Sequence, residues 1–321
     1  MRKIFTTKKL RYVSNKMNCY FFISFFLVNF AQSFVWTMNI AIFGNSYRTE
    51  ILTEIRHLLE IMARRKDVRV LLSKEVRDEL NVREEYDVYD EQTTETVDFA
   101  LSVGGDGTFL TTASIIGNRN VPILGINYGH LGFLADVKTD DVDAICQRLL
   151  DNEYTIEQRS LLALTTSDNT YIHMPFALNE ISVMKHDLSN MIAVETYING
   201  EHLHTYEADG LIISTPTGST AYNMSVGGPL MDPHSRDIIL SPIATHSLNV
   251  RPLIIPDDWA IDLKIKSRSL NYLVSIDGRS QSVKDDVKLH IEKAPYTIKL
   301  VQVGQHNFLD SLKSKLLWGA R

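Results

Sequence analysis

The stretch FALSVGGDGTFLTTASII, residues 99–116, limits the fold more than any other part of the chain. An apolar run stops at Gly104 and Gly105, shows a carboxylate at Asp106, takes Gly107, and continues with helical spacing. A strand that turns directly into a helix is half of a β–α unit, and such units assemble into parallel sheets covered by helices. The neighbouring segments repeat the rhythm. NIAIFG (39–44), VRVLLS (68–73) and VPILGINYG (121–129) read as further strands. EILTEIRHLLEIMARRK (50–66) sets Ile51, Ile55, Leu58, Leu59 and Met62 on one helical face. The expectation is a doubly wound α/β domain over residues 38–140 that carries the glycine turn.

Past about residue 140 the pattern changes. RSLLALTTS, IAVETYING, HTYEADGLIISTP, WAIDLKIKS, NYLVSIDG, DVKLHIEKA and YTIKLVQV are short, alternating and separated by turn residues. That predicts a mainly antiparallel, β-sandwich-like domain over 141–303. Residues 308–321, FLDSLKSKLLWGAR, have the spacing of an amphipathic helix and lie in a C-terminal segment, 304–321. A chain of 321 residues accommodates two such domains.

The first 37 residues stand apart. Six basic residues and no acid precede CYFFISFFLVNFAQSF (19–34), the outline of a secretory leader or a short anchor. No small-x-small cleavage site follows, and Asn29 and Gln32 interrupt the apolar run. The reading preferred is that Met38 is the working start and 1–37 a leader or non-native extension. The net charge of −6 argues against non-specific nucleic-acid binding. The two cysteines, Cys19 and Cys146, make no disulfide framework or zinc spacing. A cytoplasmic protein with no nucleic-acid or membrane partner is expected.

Three segments carry chemistry. The turn at Gly104, Gly105 and Gly107 allows positive φ at all three and directs main-chain N–H groups, with a helix start, at one point. That arrangement suits a phosphate, and Asp106 then fits as a proton acceptor or a metal partner. The plain alternative is a tight turn with a capping aspartate. The second segment, ADGLIISTPTGSTAYNMSVGGP (208–229), crowds Ser214, Thr215, Thr217, Ser219 and Thr220 around Pro216 and Gly218. The third, ALNEISVMK (177–185), is a strand interrupted by Asn179 and Glu180, whose side chains together suit a ribose diol or an adenine edge and alone would be an ordinary edge-strand feature. No G-x-x-x-x-G-K-[ST] or G-x-G-x-x-G motif is present, and no histidine spacing suggests a metal site.

Together these segments resemble the NAD kinase family, marked by G-G-D-G-[ST], an N-E pair and D-G-[LIV]-x-x-S-T-P-T-G-S-T-A-Y, here at 104–108, 179–180 and 209–222. GINYGHLGFLAD (125–136) and SPIATHSLNVRPLI (241–254) extend the resemblance, which runs from about Met38 to the C-terminus. It implies an α/β domain, a β domain and a C-terminal segment that returns to the first. It also implies transfer of the terminal phosphoryl group of ATP to the 2′-hydroxyl of the adenosine ribose of NAD, giving NADP.

By position, Asp106 is the implied base, and Gly104, Gly105 and Thr108 form the phosphate-donor loop. Gly107, Asn179, Glu180, Asp209, Thr217, Thr220, Ala221, Tyr222, Asn223, Met224, Ser225 and Ala244 are the implied dinucleotide contacts. Arg279 stands where many members carry Gln, and Thr111 where many carry a basic residue. Phe133 is read either as a stacking partner for adenine or as a core residue. Mg²⁺, held mainly by the nucleotide, and a homo-oligomer, dimer or tetramer, are also implied. Two other functions remain open at this level: a lipid kinase, which shares G-G-D-G-T, and a non-catalytic NAD-binding sensor.

Overall fold

The computed structural model describes residues 38–128, 132–135, 137–138, 142–187, 190–304 and 308–316. The expected leader at 1–37 and His130 lie outside the described residues.

The first unit holds β1 (Met38–Gly44), β2 (Val68–Leu72), β3 (Asp87–Val88), β4 (Phe99–Gly104), β5 (Pro122–Asn127) and β6 (Val137–Lys138). Its helices are α1 (Thr49–Ala63), α2 (Lys74–Leu80), α3 (Asp106–Ile116) and α4 (Val142–Leu150). The strands run parallel in the order β5-β4-β1-β2-β3. Residues Ile40 and Ile42 pack into the same cluster as α1, α2 and α4. Ala41 and Phe43 point the other way, into a cluster with Phe109, Ala113 and Ile116 of α3. Both faces are covered, which is why these strands read as unbroken apolar runs. Helix α1 buries the five residues its spacing predicts. Helix α2 goes unmarked in the sequence reading; the Ser73 hydroxyl caps it by accepting from Val76 N–H, and Asn81 closes it in the left-handed conformation.

The second unit holds β7 (Thr155–Thr166), β8 (Phe176–Ala177), β9 (Glu180–Lys185), β10 (Ile192–Ile198), β11 (Glu201–Ala208) and β12 (Gly210–Ser214). A one-turn helix, α5 (Tyr222–Ser225), follows. Then come β13 (Asp237–Ile243), β14 (Leu253–Pro256), β15 (Ile261–Lys266), β16 (Asn271–Ile276), β17 (Arg279–Lys284) and β18 (Leu289–Gln302). Six of these strands form an antiparallel sheet in the order β14-β13-β12-β9-β16-β17. It packs against β7, β10, β15 and β18 through one core that includes Val183, Ile213, Tyr272, Val194, Ile265 and Ile291. This is the expected sandwich of antiparallel strands.

The two units share a sheet. Strand β18 pairs antiparallel with β15 at Leu289–Ile291 and parallel with β5 at Lys299 and Leu300. A twelve-stranded sheet therefore passes through both units. DVKLHIEKA and YTIKLVQV, two strands in the sequence reading, are one strand here. Its pairing to β7 shifts between Lys293 and Thr297, where Pro295 has no N–H to donate. Beyond it, α6 (Phe308–Leu316) returns to the first unit, and the Lys315 ammonium sits 4.4 Å from the centre of the Phe133 ring. Among the described residues no helix is long and apolar enough to cross a membrane.

Gly125 shows how tightly β5 is built into the site. A Cβ there would stand 2.7 Å from Ala135 Cα and 2.8 Å from Leu134 O. Gly125→Ala is expected to destabilise the protein by about 1–3 kcal/mol through overpacking. Urea unfolding checks this; an unchanged midpoint would show that the segment yields freely.

Candidate active site

Asp106 is the first residue of α3, and Gly105 before it is the cap residue. Its carboxylate is clasped by the main chain of a distant segment. Oδ2 accepts from Phe133 N–H at 2.8 Å, and Oδ1 accepts from Leu134 N–H at 2.9 Å and Ala135 N–H at 3.1 Å. A Cβ on Gly132 would collide with this carboxylate, so the segment needs glycine there. Of the three turn glycines only Gly104 has positive φ, at 155°, and a side chain on it would run into Thr108. Gly105 has φ −108°. The expectation that all three supply left-handed backbone is thus corrected. Around Gly105 and Gly107 a Cβ would meet nothing within 4 Å, so they leave one side of the turn bare.

That bare side opens on a crevice of about 270 Å³ lined by Gly44, Asn45, Ser46, Ser73, Gly107, Thr108 and Thr111, among others. It lies beyond the carboxyl ends of β1 and β2 and beside the starts of α2 and α3, where open parallel sheets place ligands. Glu75 is the one charged side chain in its lining. Phe43, Tyr47 and Ile115 also line it, so a ligand there would meet hydroxyls and apolar surface and no lysine or arginine. Thr111 donates to the Gly107 carbonyl at 3.1 Å.

On the second unit, β9 and β12 run antiparallel with Glu180 opposite Ser214 and Met184 opposite Gly210. The loop after Ser214 folds back over Asn179. Thr215 N–H donates to the Asn179 carbonyl at 2.9 Å, Thr215 Oγ1 donates to the Leu178 carbonyl at 2.6 Å, and Gly218 N–H donates to Thr215 Oγ1 at 3.0 Å. A side chain at Gly218 would strike the Asn179 carbonyl. The hydroxyl of Tyr222 then reaches Met184 Sδ at 3.9 Å. Hydroxyls and Tyr222 are thereby strung along about four residues of strand, roughly 14 Å at ~3.4 Å per residue.

Two buried oxygens on this strip have no hydrogen-bond partner: Glu180 Oε2 and Thr217 Oγ1. An unsatisfied buried acceptor is costly, and both suit a ligand's hydroxyls. Thr217 and Thr220 share the wall of a small cavity with Phe133 and Leu134, the residues that clasp Asp106. The glycine turn and the Ser/Thr loop, far apart in sequence, are therefore neighbours.

Burial is the main cause that lifts the Glu180 carboxyl to about 7, with the Asp277 charge adding to it and a hydrogen bond from Tyr222 N–H opposing it.

The remaining candidates fall at different places. Asp209 pairs with Lys185 Nζ at 2.7 Å, and its N–H donates to the Ile243 carbonyl at 2.9 Å. Ala244 follows with φ 46°, a strained value for a residue with a side chain. Both lie at the Met184 end of the strip. Ala221 and Met224 are half-buried, and Ser225 is exposed. Asn223 departs from the expectation. It is fully buried, with its amide donating to the carbonyls of Ser219 and Pro229 and accepting from Ser241 Oγ at 2.6 Å. Its side-chain amide braces the loop. The Phe133 ring carries the Lys315 ammonium on one face, and its main-chain N–H belongs to the Asp106 clasp. Arg279 donates weakly to the Phe176 carbonyl at 3.4 Å. Sequence reasoning missed Gly132 and Asp277; G-H-L-G-F after β5 was the available signal for the former.

The Glu180 proton affinity has a stability consequence. The unfolded carboxyl ionises near 4.5 and the folded one near 7. The folded state holds a proton more tightly, so stability falls as pH rises through that window. Glu180→Gln is expected to raise the melting temperature of the ligand-free protein at pH 8 and to leave it nearly unchanged at pH 4.5. Thermal denaturation at both pH values checks this; an equal gap at the two would refute it.

The model of the ATP-NAD kinase N-terminal domain matches residues 40–154, and that of the ATP-NAD kinase C-terminal domain matches 178–303. The chain is 46% identical over 290 residues to the NAD kinase of Bacteroides fragilis, covering 88% of this chain and 99% of that one. It is 41% identical over 292 residues to that of Flavobacterium psychrophilum, with 88% and 98% covered. A yeast NADH kinase crystallised with NADH superposes with a TM-score of 0.82 at 22% identity, covering 89% of each chain, a likeness of fold. An NAD kinase from Archaeoglobus fulgidus in complex with ATP superposes at 0.68 with 25% identity, covering 87% of this chain and 99% of that one. The chain belongs to the NAD kinase family.

Proposed function

We propose that the protein transfers the terminal phosphoryl group of ATP to the 2′-hydroxyl of the adenosine ribose of NAD, yielding NADP and ADP. The observation that carries this reading is the neighbourhood of Asp106: Gly107, next to it, lines the crevice at the start of α3, and Phe133 and Leu134, whose N–H groups hold its carboxylate, share a cavity wall with Thr217 and Thr220. The relatives' names, and the nucleotides held by the two superposed structures, point the same way.

The donor phosphates lie against Gly104, Gly105, Gly107 and Thr108, where the N–H groups at the start of α3 face them. Asn179, Glu180, Thr217, Thr220, Ala221, Tyr222, Met224 and Ser225 line the dinucleotide strip, with Asp209 and Ala244 at its far end. Asp106 Oδ2 accepts one N–H and Oδ1 accepts two. Oδ2 thus keeps a lone pair for the 2′-hydroxyl. In the step, the ribose oxygen bonds to the terminal phosphorus as the bond to the ADP oxygen breaks, and the hydroxyl proton goes to Oδ2.

Among the described residues no group of three or more His, Cys, Asp or Glu could hold a metal ion. Mg²⁺ is read as entering with ATP as part of the substrate, and no step here runs through a protein-held metal. The protein is read as cytoplasmic and as a homo-oligomer, dimer or tetramer. The loop after Ala244 carries Leu248, 85% exposed, which a second copy would cover.

Purified protein with NAD, ATP and Mg²⁺ is expected to form NADP. Asp106→Asn should lower kcat by roughly 10²–10⁴-fold, the usual worth of a general base. Its effect on NAD affinity should be small, measured by direct titration because the amide also loosens the clasp on residues 133–135. Turnover unchanged in this variant would remove Asp106 from the chemistry.

A further inference from the structure

We propose that Asp277 is a positioning residue of the dinucleotide site, whose carboxylate fixes the main chain at residues 178–180 and so aims Asn179 and Glu180 at the substrate. This rests on the reading above that the Asn179–Glu180 pair binds NAD.

Asp277 sits nearly a hundred residues beyond that pair, in the turn between β16 and β17. Its Oδ2 accepts from Leu178 N–H at 2.8 Å, and its Oδ1 accepts from Asn179 N–H at 2.8 Å and Glu180 N–H at 3.1 Å. Its own N–H donates back to the Glu180 carbonyl at 3.1 Å. Four hydrogen bonds thus join one turn residue to the segment that begins β9. The pattern repeats the clasp at Asp106: one oxygen takes one N–H, the other takes two.

The turn alone does not explain the aspartate. Ile276 pairs with Arg279 across a two-residue loop, and Asp277 and Gly278 have φ 47° and 82°. That is the hairpin in which Asn-Gly serves as well as Asp-Gly. An asparagine would also spare the chain a second carboxylate beside Glu180. Burial raises the proton affinity of Asp277, and its charge raises that of Glu180. A like-charged neighbour is a cost. The return on it is visible in the geometry: only a carboxylate offers two acceptor oxygens to three converging N–H groups. What that organises is equally visible. Glu180 Oε2 and Thr217 Oγ1, the two orphaned oxygens of the strip, lie on the segment Asp277 holds and on the loop that closes over it.

The charged group acting on Glu180 is Asp277, with Arg279 beside it on β17; the Ser/Thr loop presents the main-chain N–H of Tyr222, and β12 presents Ser214. Asp277→Asn keeps the turn, removes the charge and turns one acceptor into a donor, which makes it the informative change.

The experiment measures kcat and KM for NAD and for ATP between pH 5.5 and 9 in the wild type, Asp277→Asn and Glu180→Gln. The expected result for Asp277→Asn is a KM for NAD raised roughly tenfold or more, the worth of about one charge-assisted hydrogen bond. The KM for ATP should stay within about twofold. The rise of KM for NAD on acidification should begin at lower pH than in the wild type, because one cause of the high Glu180 proton affinity has gone. An unaltered KM for NAD in Asp277→Asn, with Glu180→Gln impaired, overturns the proposal and leaves the dinucleotide reading standing. Both KM values raised alike, with the pH profile unmoved, reduces Asp277 to a general structural role and also overturns it. A normal KM for NAD in Glu180→Gln instead refutes the binding role of the pair itself. Should Asp277→Asn not accumulate as folded protein, Asp277→Ser, which keeps one acceptor and no charge, gives the same readings.

Discussion

Strand β18 is the constraint on which the site depends. It hydrogen-bonds to the antiparallel unit along most of its length and to the parallel unit at its end. A hinge between two domains would leave the glycine turn free to swing relative to the Ser/Thr loop. A strand shared by both removes that freedom, because rotating one unit against the other would break ladder bonds and expose Leu300 and Val301, which are buried. The shared cavity wall of Leu134 and Thr217 is a product of this seam. Such rigidity suits phosphoryl transfer, where positioning does most of the work.

Within that frame the finer alignment is done by carboxylates acting on main chain. Asp106 gathers the N–H groups of residues 133–135, and Asp277 those of 178–180. Each gives a short irregular segment, with no ladder of its own at those N–H groups, a partner as strong as a strand would. Glycine makes the approach possible at Gly132 and Gly125, where any side chain would occupy the space of the clasp.

Much of this can be read from the residues. The five apolar positions of α1 name its buried face because helical periodicity is a local property. The strand–glycine–helix junction at Asp106 is local too. What escaped is mostly long-range. Nothing in DVKLHIEKA or YTIKLVQV says that they continue one another, since a proline between two β-rich runs ordinarily ends a strand. The Asp277 clasp spans nearly a hundred residues, and a D-G pair is fully explained by its hairpin. Asn223 escaped for another reason: its position in the hydroxyl-rich loop is right for a contact, and only packing shows that its amide faces Ser219, Pro229 and Ser241.

Asp106 and Asp277 make nearly the same hydrogen bonds and differ in what surrounds them. The turn before and after Asp106 is bare, since a Cβ on Gly105 or Gly107 would touch nothing. The helix start beside the carboxylate is therefore free of side-chain cover. Asp277 sits in a hairpin turn and holds the N–H of Leu178, which is 1% exposed; its charge acts on Glu180, and Arg279 acts on it in turn. One clasp thus sits at a bare glycine turn and the other acts on a neighbouring carboxylate. The reason lies in the glycines: at 104–107 they strip the cover from a helix start, whereas Gly278 only turns a hairpin.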